Sequence, residues 1–344
     1  MNNIKKIGLS ALAGSLVAVS AHAGELSVTG GMTATYATKS GDSGTASDDH
    51  GRGFSTDTGI TFTGSAELDN GFTVSGFVTQ LEGMGAVSSS QMTIGMGSMG
   101  KLKINRVGGG AVNALDDKLP SAWEEASDNS AHDFVGEDIG SANDDGAISY
   151  HLPELEYAGN TINIGLDYDP ASGVAAGGTG STQVQSLIGT GTGVAVQIGT
   201  AYGLNAYAGV DTVERHNTSD VAGSITKDVF NGTAGAAYTY GPVTVGYQTW
   251  YNDAGLGTHY ASDGTSIAFA VNENLSLSYA AIDETKYQAG LRSLTNIEAS
   301  MKAYNVAYSM GAIAIKAHHG KTDNADFTTT TSNDMTEISV SFAF

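Results

Sequence analysis

Between Ile60 and Val78 the chain states one pattern twice. Ile60, Phe62, Gly64, Ala66 and Leu68 alternate with Thr61, Thr63, Ser65 and Glu67; after Asp69-Asn70-Gly71, the residues Phe72, Val74, Gly76 and Val78 resume the alternation. A period of two places the apolar and small side chains on one face of a strand. Asn-Gly between two such runs supplies the positive-φ residues that a tight hairpin needs. The unit then recurs, with short turns at 97–100, 158–160, 202–205, 241–242, 272–274 and 310–311 between alternating segments. Adding an N-terminal strand (Leu26, Val28, Met32, Ala34, Tyr36) and a C-terminal one gives about sixteen strands, an even number.

The hairpins are joined by longer connections near 39–53, 83–90, 108–145, 169–192, 214–228, 252–264, 284–296 and 321–334, rich in Gly, Asp, Asn, Ser and Thr. The stretch Ser181 to Ile188 reads equally as strand, loop or small hairpin. Short turns at one end and long loops at the other put both chain termini on the short-turn side, where first and last strands can pair. In lipid that closure is required, since an open sheet edge leaves backbone groups unsatisfied. The expectation is an all-β protein: a closed antiparallel transmembrane β-barrel with short periplasmic turns and long extracellular loops.

Composition agrees with strands that face lipid on one side and water on the other. Hydrophobic residues make up 40% of the chain, and no segment after Val19 is apolar and long enough for a spanning helix. Glycine is abundant (47) and proline scarce (4), which disfavours a disordered linker protein. The chain has no cysteine, which excludes thiolate nucleophiles and thiolate metal sites. Lys5 and Lys6, the uncharged run Ile7–Val19 and Ala21-His22-Ala23 read as an export signal, residues 1–23, cut after Ala23. The remaining residues, 24–344, form one pore domain.

The formal charge is −21, and loss of the two leader lysines makes the balance more acidic still. Nucleic acid, which demands a basic footprint, is excluded as a partner. Tyr150, Tyr168, Tyr202, Tyr238, Tyr240, Tyr247, Tyr251, Tyr279, Tyr304 and Tyr308 fall on the apolar face, many near strand ends. That is where aromatic girdles meet headgroup water.

The acidity concentrates in the connection Gly108–Asp145, which carries Asp116, Asp117, Glu124, Glu125, Asp128, Asp133, Glu137, Asp138, Asp144 and Asp145 against a single Lys118. An exposed loop that merely solvates would account for the charges. It would not account for Leu115, Leu119, Trp123, Phe134, Val135 and Ile139, which a loop turned into the lumen would bury against the wall. Its carboxylates would then stand across the aperture. Lys101, Lys103, Asn105, Lys316, His318 and Glu67 lie on the lumen parity, with Asp167, Asp211 and Gln248. A lysine row facing a carboxylate row would set ion preference; each lysine is equally consistent with an ordinary interior ion pair. Asp48-Asp49, Asp116-Asp117, Glu137-Asp138 and Asp144-Asp145 could hold a structural Ca²⁺ through oxygen ligands, though none has EF-hand spacing. No nucleotide-binding or nucleophile-elbow motif is present, and no catalytic residue or cofactor is assigned.

The last strand alternates Ile338, Val340, Phe342 and Phe344 with Glu337, Ser339, Ser341 and Ala343. With Ala21-His-Ala23, the start Glu25-Leu-Ser-Val-Thr-Gly30 and the terminal Phe344, the whole chain resembles the Gram-negative general porins of the proteobacterial type. The resemblance implies a 16-stranded water-filled barrel, a homotrimer, and a third loop folded inward, the place that 108–145 holds in order. It also implies an outer-membrane location after Sec-type export, with Phe342 and Phe344 as an assembly signal read by the barrel assembly machinery. Outer-membrane lipid and lipopolysaccharide are the surroundings it implies. One departure is visible: such porins often set arginines opposite the acidic loop, whereas the early strands here carry none at lumen positions, and Arg106 stands at a strand end. The expected function is passive diffusion of ions and small hydrophilic solutes with cation preference, without enzymatic activity. The alternatives are a substrate-specific outer-membrane channel, a secreted adhesin or Ca²⁺-binding β protein, and a barrel enzyme. The second lacks a fixed short repeat in support, and the third lacks a motif.

Overall fold

In a computed structural model the chain forms one sheet closed on itself. The structure describes residues 23–42, 50–81, 87–107, 109–128, 132, 134–140, 146–170, 188–215, 227–255, 257–288 and 296–344. The expected leader, apart from Ala23, therefore lies outside the described residues.

In chain order the strands are β1 (Ala23–Asp42), β2 (His50–Glu67), β3 (Thr73–Gln80), β4 (Val87–Gly95), β5 (Lys101–Val107), β6 (Ile148–His151), β7 (Leu155–Tyr157), β8 (Asn160–Asp169), β9 (Ile188–Gly199), β10 (Leu204–Arg215), β11 (Val229–Tyr240), β12 (Val243–Asp253), β13 (Thr258–Ala270), β14 (Leu275–Gln288), β15 (Ile297–Met310), β16 (Ile313–Asp323) and β17 (Ser332–Ala343). β6 and β7 both pair with β8 and are two halves of one strand interrupted at Leu152-Pro153-Glu154. Pro153 has no N–H to give the ladder, so the strand breaks there. With those halves joined, the barrel has sixteen antiparallel strands.

The seam lies between β1 and β17, paired from Gly31↔Ala343 to Asp42↔Ser332. It ends in a reciprocal pair: Gly30 N–H donates to the Phe344 carbonyl at 2.8 Å and Phe344 N–H to the Gly30 carbonyl at 2.9 Å. The Phe344 ring lies where a Cβ on Gly30 would be, 2.7 Å from the ring's Cε2, so this position admits only glycine without displacing the aromatic. Phe342 and Phe344 point outward, ring centroids 6.0 Å apart.

The register assigns the two faces. Leu26, Val28, Met32, Phe62, Val78, Met92, Ile104, Val194, Val210, Ile267, Val306, Ile315, Ile338 and Val340 all face outward and are exposed. On a water-soluble protein such a band would be an aggregation surface; around a closed barrel it is the lipid-facing belt. Aromatics edge it on both sides. Tyr157, Tyr202, Tyr240 and Phe344 stand at the short-turn rim. Tyr36 and Phe54 (centroids 4.8 Å apart), with Phe230 and Tyr251 (6.1 Å), stand toward the long loops.

Two readings of the sequence need adjustment. Of Asp69-Asn70-Gly71 only Gly71 is left-handed (φ 81°), because the Asn70 side chain closes the turn instead, its Oδ1 accepting from Phe72 N–H at 3.0 Å. The long connections are also shorter than composition indicates: β1 continues to Asp42, β13 begins at Thr258, β14 runs to Gln288 and β17 begins at Ser332. Outward apolar residues stop where the lipid belt stops, whereas the backbone ladder continues beyond it. The ambiguous stretch before Ile188 lies outside the described residues.

Candidate pore constriction

The buried interior is built from the loop between β5 and β6. Val112, Leu115 and Ile139 are fully buried, and Leu119 and Phe134 nearly so, in a cluster with wall residues Tyr207, Trp250, Ile282 and Met301. Phe134 meets Trp250 edge to face at 5.2 Å. Burial of each large apolar side chain stabilises the inward placement by about 1.5–3 kcal/mol. The wall makes room for it: a Cβ on Gly209 would stand 3.0 Å from Leu115 Cδ1, and one on Gly264 would stand 2.7 Å from Leu119 Cδ1. Trp123 and Val135 are half-buried.

Polar wall side chains then clamp the loop's backbone. Asp167 on β8 accepts Ala111 N–H and Val112 N–H on its two oxygens, at 2.8 and 2.9 Å. Asp211 on β10 accepts Gly140 N–H at 3.0 Å. Gln248 on β12 accepts from Lys118 N–H (2.9 Å) and Tyr207 Oη (2.8 Å), and donates to the carbonyls of Leu115 (2.7 Å) and Asp116 (3.1 Å) and to Thr233 Oγ1 (2.9 Å). Trp250 Nε1 donates to the Asp116 carbonyl at 2.6 Å. Ser278 on β14 accepts from Ala122 N–H (2.9 Å), and Asn305 on β15 donates to the Glu124 carbonyl (2.8 Å). These groups take over the backbone partners that a segment withdrawn from water would otherwise lack.

The loop's far end rests on Glu284, which is fully buried on β14. Its Oε1 accepts from Val135 N–H and Ser262 Oγ, both at 3.2 Å, and its Oε2 stands 2.8 Å from His132 Nε2. Asp326 N–H donates to His132 Nδ1 at 3.0 Å, so the imidazole proton is on Nε2 and is given to Glu284. Asp326 belongs to the connection between β16 and β17, where Asn324, Asp326, Phe327 and Thr330 hold left-handed backbone (φ 50–75°). For a residue such as Phe327 that conformation costs about 1–2 kcal/mol. The gain is its ring against His132, centroids 5.0 Å apart.

The acidic side chains carried by this clamped loop occupy the lumen. Asp117, Glu124, Glu125 and Asp128 are half-buried, Asp116 likewise, and Asp138 is exposed on the turn Val135–Asp138. Asp133 lies outside the described residues, as does the side chain of Glu137. Glu124 is pushed up to about 7, first by burial, then by the hydrogen bond and charge of Asp128 and the charge of Glu337, with Lys316 pulling it down. Asp116 is raised by burial and by Asp117, against the Asp117 amide that its carboxylate accepts. The loop therefore gains negative charge as pH rises through neutrality. We expect cation preference to increase between pH 6 and pH 8, read as reversal potentials in a salt gradient, and Glu124→Gln to flatten the change. A wild-type preference constant over that range would contradict this.

The expected wall residues all have lumen parity but take different places. Lys101 is exposed, Lys103 half-buried and Glu67 exposed, all toward the short-turn end. Lys316 Nζ lies 5.7 Å over the Trp123 ring. Asn105 and His318 are buried rather than water-lining: Asn105 bonds Gln91 (2.7 Å) and Ser149 (3.0 Å), and His318 Nδ1 pairs with Asn305 Oδ1 (2.9 Å). Asp167, Asp211 and Gln248, placed by sequence on the lumen parity, are loop clamps. Glu284, His132, Asn305 and Trp250 were not singled out by sequence. A tryptophan and a carboxylate on the polar face of a strand are the signal that marks two of them. Among the described residues no group of three or more His, Asp and Glu is placed to hold a metal ion.

The sequence model of the Gram-negative porin family matches residues 8–344. No curated protein matches in sequence. Among solved structures, the barrel is similar to OmpF of Salmonella typhi in complex with daunomycin (TM-score 0.68, 13% identity, 93% of this chain and 98% of that one). It is also similar to an anion-selective porin from Comamonas acidovorans (0.64, 15%, 93% and 100%) and to a porin refined at 1.8 Å (0.64, 14%, 93% and 100%). At such identity the likeness carries the fold alone.

Proposed function

Because this chain belongs to the Gram-negative porin family, whose members are outer-membrane channels, we propose that it is a non-catalytic, water-filled pore for passive diffusion of ions and small hydrophilic solutes, preferring cations. The observation that carries the reading is the β5–β6 loop, whose described residues 109–128, 132 and 134–140 pack inside the barrel with Asp117, Glu124, Glu125 and Asp128 among them. The clamps fall on β8 to β15, so the path runs on the other side, between the loop and the lumen faces of β1 to β4. Those faces carry mostly neutral groups, Thr29, Thr33, Thr61, Thr63, Ser75, Thr79, Gln91 and Thr93, with Asp57 and Glu67 against the single cation Lys39, so they hydrate a channel without offsetting the loop's charge. Among the described residues, the basic groups of the lumen, Lys39, Lys101, Lys103, Lys118, Lys286 and Lys316, are outnumbered by carboxylates. Low-dielectric walls concentrate that imbalance on the passing ion.

The same reading makes the protein a homotrimer in the outer membrane, exported by the Sec route with loss of residues 1–23, in contact with lipopolysaccharide. Phe342 and Phe344, outward at the closing seam, act in recognition by the assembly machinery. Liposome swelling with sugars and amino acids of increasing size tests the general-diffusion part. Uptake falling smoothly with size is expected; a sharp preference for one solute would replace it with a specific channel.

A further inference from the structure

The pattern breaks where Pro153 interrupts the β6–β7 strand, and beside that break the lumen wall is hollow. A cavity of about 590 Å³ lies at the short-turn end, bounded by Gly71, Gly95, Gly97 and Gly100 on one side and by Leu152-Pro153-Glu154 on the other. Its position follows from the register. Thr73, Gly95, Lys101, His151 and Gly165 form one lumen-facing row across β3, β4, β5, β6 and β8. Lys103 stands one row higher, beside Ser149. At Gly95 the place of a Cβ is taken by Thr73 Oγ1, whereas Gly71 and Gly97 have nothing within 4 Å of where a Cβ would be.

The chemistry lining this hollow is opposite in sign to the loop above. Lys101, Lys103 and His151 face into it. Glu154 is the one carboxylate among its lining residues, and its Oε2 is occupied by Asn163 Nδ2 at 2.8 Å. Asp167, the nearest carboxylate in the row above, has both oxygens engaged by the loop amides of Ala111 and Val112. His151 Nε2 is buried and has no hydrogen-bond partner. Two ammonium groups two residues apart on one strand face, with an imidazole in the adjoining strand, suit a compact oxyanion with more than one negative charge.

We propose that this hollow is a binding site for small phosphate- or carboxylate-bearing dianions, held by Lys101 and Lys103 with His151 beside them. It is separate from the acidic constriction and lies on its short-turn side. A dianion entering from that end therefore meets the lysines, with Glu67 and Glu154 at the same level, before it meets the carboxylates of the loop. It lodges there and obstructs the path without passing the loop. The block is thus asymmetric: strong when the anion is supplied from the short-turn side, weak from the other.

Inorganic phosphate is the probe. The site rests on the channel reading only for its electrical readout, so a second readout is independent of conductance. In single-channel recordings, phosphate on the short-turn side is expected to produce brief interruptions of the open current, with succinate acting alike. In the Lys101→Gln/Lys103→Gln double variant the phosphate needed for half-block rises at least about tenfold, the scale of losing charge-assisted contacts. Lys227→Gln, at an exposed lysine, leaves it unchanged. In parallel, amine acylation followed by peptide mass spectrometry is run on the wild-type protein with and without phosphate. Protection of Lys101 and Lys103, but not of exposed Lys227, is expected. Open channels indifferent to phosphate, or equal acylation of the lysines in its presence, would overturn the proposal. Protection of Lys101 and Lys103 in a protein that carries no current would instead overturn the channel reading and leave the anion site standing.

Discussion

Replacing Gln248 by alanine is expected to loosen the pore loop and to give a larger, noisier conductance in a barrel that still assembles. Gln248 is fully buried and satisfies two loop carbonyls, one loop amide, Tyr207 and Thr233 at once. Alanine takes the partner from the Leu115 carbonyl, the Lys118 amide and the Tyr207 hydroxyl in a space withdrawn from water, at about 1–3 kcal/mol for each unsatisfied one. The barrel ladder does not depend on them, so the loss falls on the loop. Trp250 still holds the Asp116 carbonyl and Asp167 still holds the loop's start, which limits the movement to the middle of the loop. Single-channel recordings give conductance and open-state noise directly. A variant with wild-type conductance and noise would show that the apolar contacts of Leu115 and Ile139 suffice without the clamp.

The second large effect concerns charge rather than position. Asp117→Asn, Glu125→Gln and Asp128→Asn combined should cut the cation-to-anion permeability ratio severalfold. The amide replacements keep an acceptor oxygen for the bonds that shape the loop, among them Asp128 to the Glu125 amide (2.6 Å) and Asp117 to the Leu119 amide (3.2 Å). Geometry is retained while the local field is removed. Asp263 and Asp283, cross-strand partners on the outer face, supply the control: their amide variants alter the protein's net charge without altering the lumen. If those outer variants shift the permeability ratio as much as the loop triple does, selectivity comes from overall charge and the constriction has no special role.

Much of the barrel was legible in the sequence because a sheet in lipid has a narrow grammar. One face of Ile60–Leu68 or Ile338–Phe344 must be apolar, the other must suit water, and connections must alternate in length. Strand ends were less legible, since pairing beyond the lipid belt leaves no apolar signature; Asp253 and Thr258 sit closer together than the polar stretch around them suggests. The inward loop was legible from its mixture of Leu115, Leu119, Phe134 and Ile139 with carboxylates. Its clamps were not, because Asp167, Asp211 and Gln248 have the same parity and polarity whether they hold water or a loop amide. Sequence distance hides the rest: His132 and Glu284 are 152 residues apart and touch only through the fold. The hollow beside Pro153 was equally hidden, since the strand break and the turn glycines that bound it come together only in the fold.

On the proposed reading the inward acidic loop, facing a wall lined mostly by threonine and serine, sets ion preference. The most direct measurement is the reversal potential of the purified protein in a planar bilayer with a tenfold KCl gradient at pH 8, where Glu124 is ionised. The predicted sign is that of K⁺ moving down its gradient in preference to Cl⁻. A reversal potential of zero, or of the opposite sign, would contradict it.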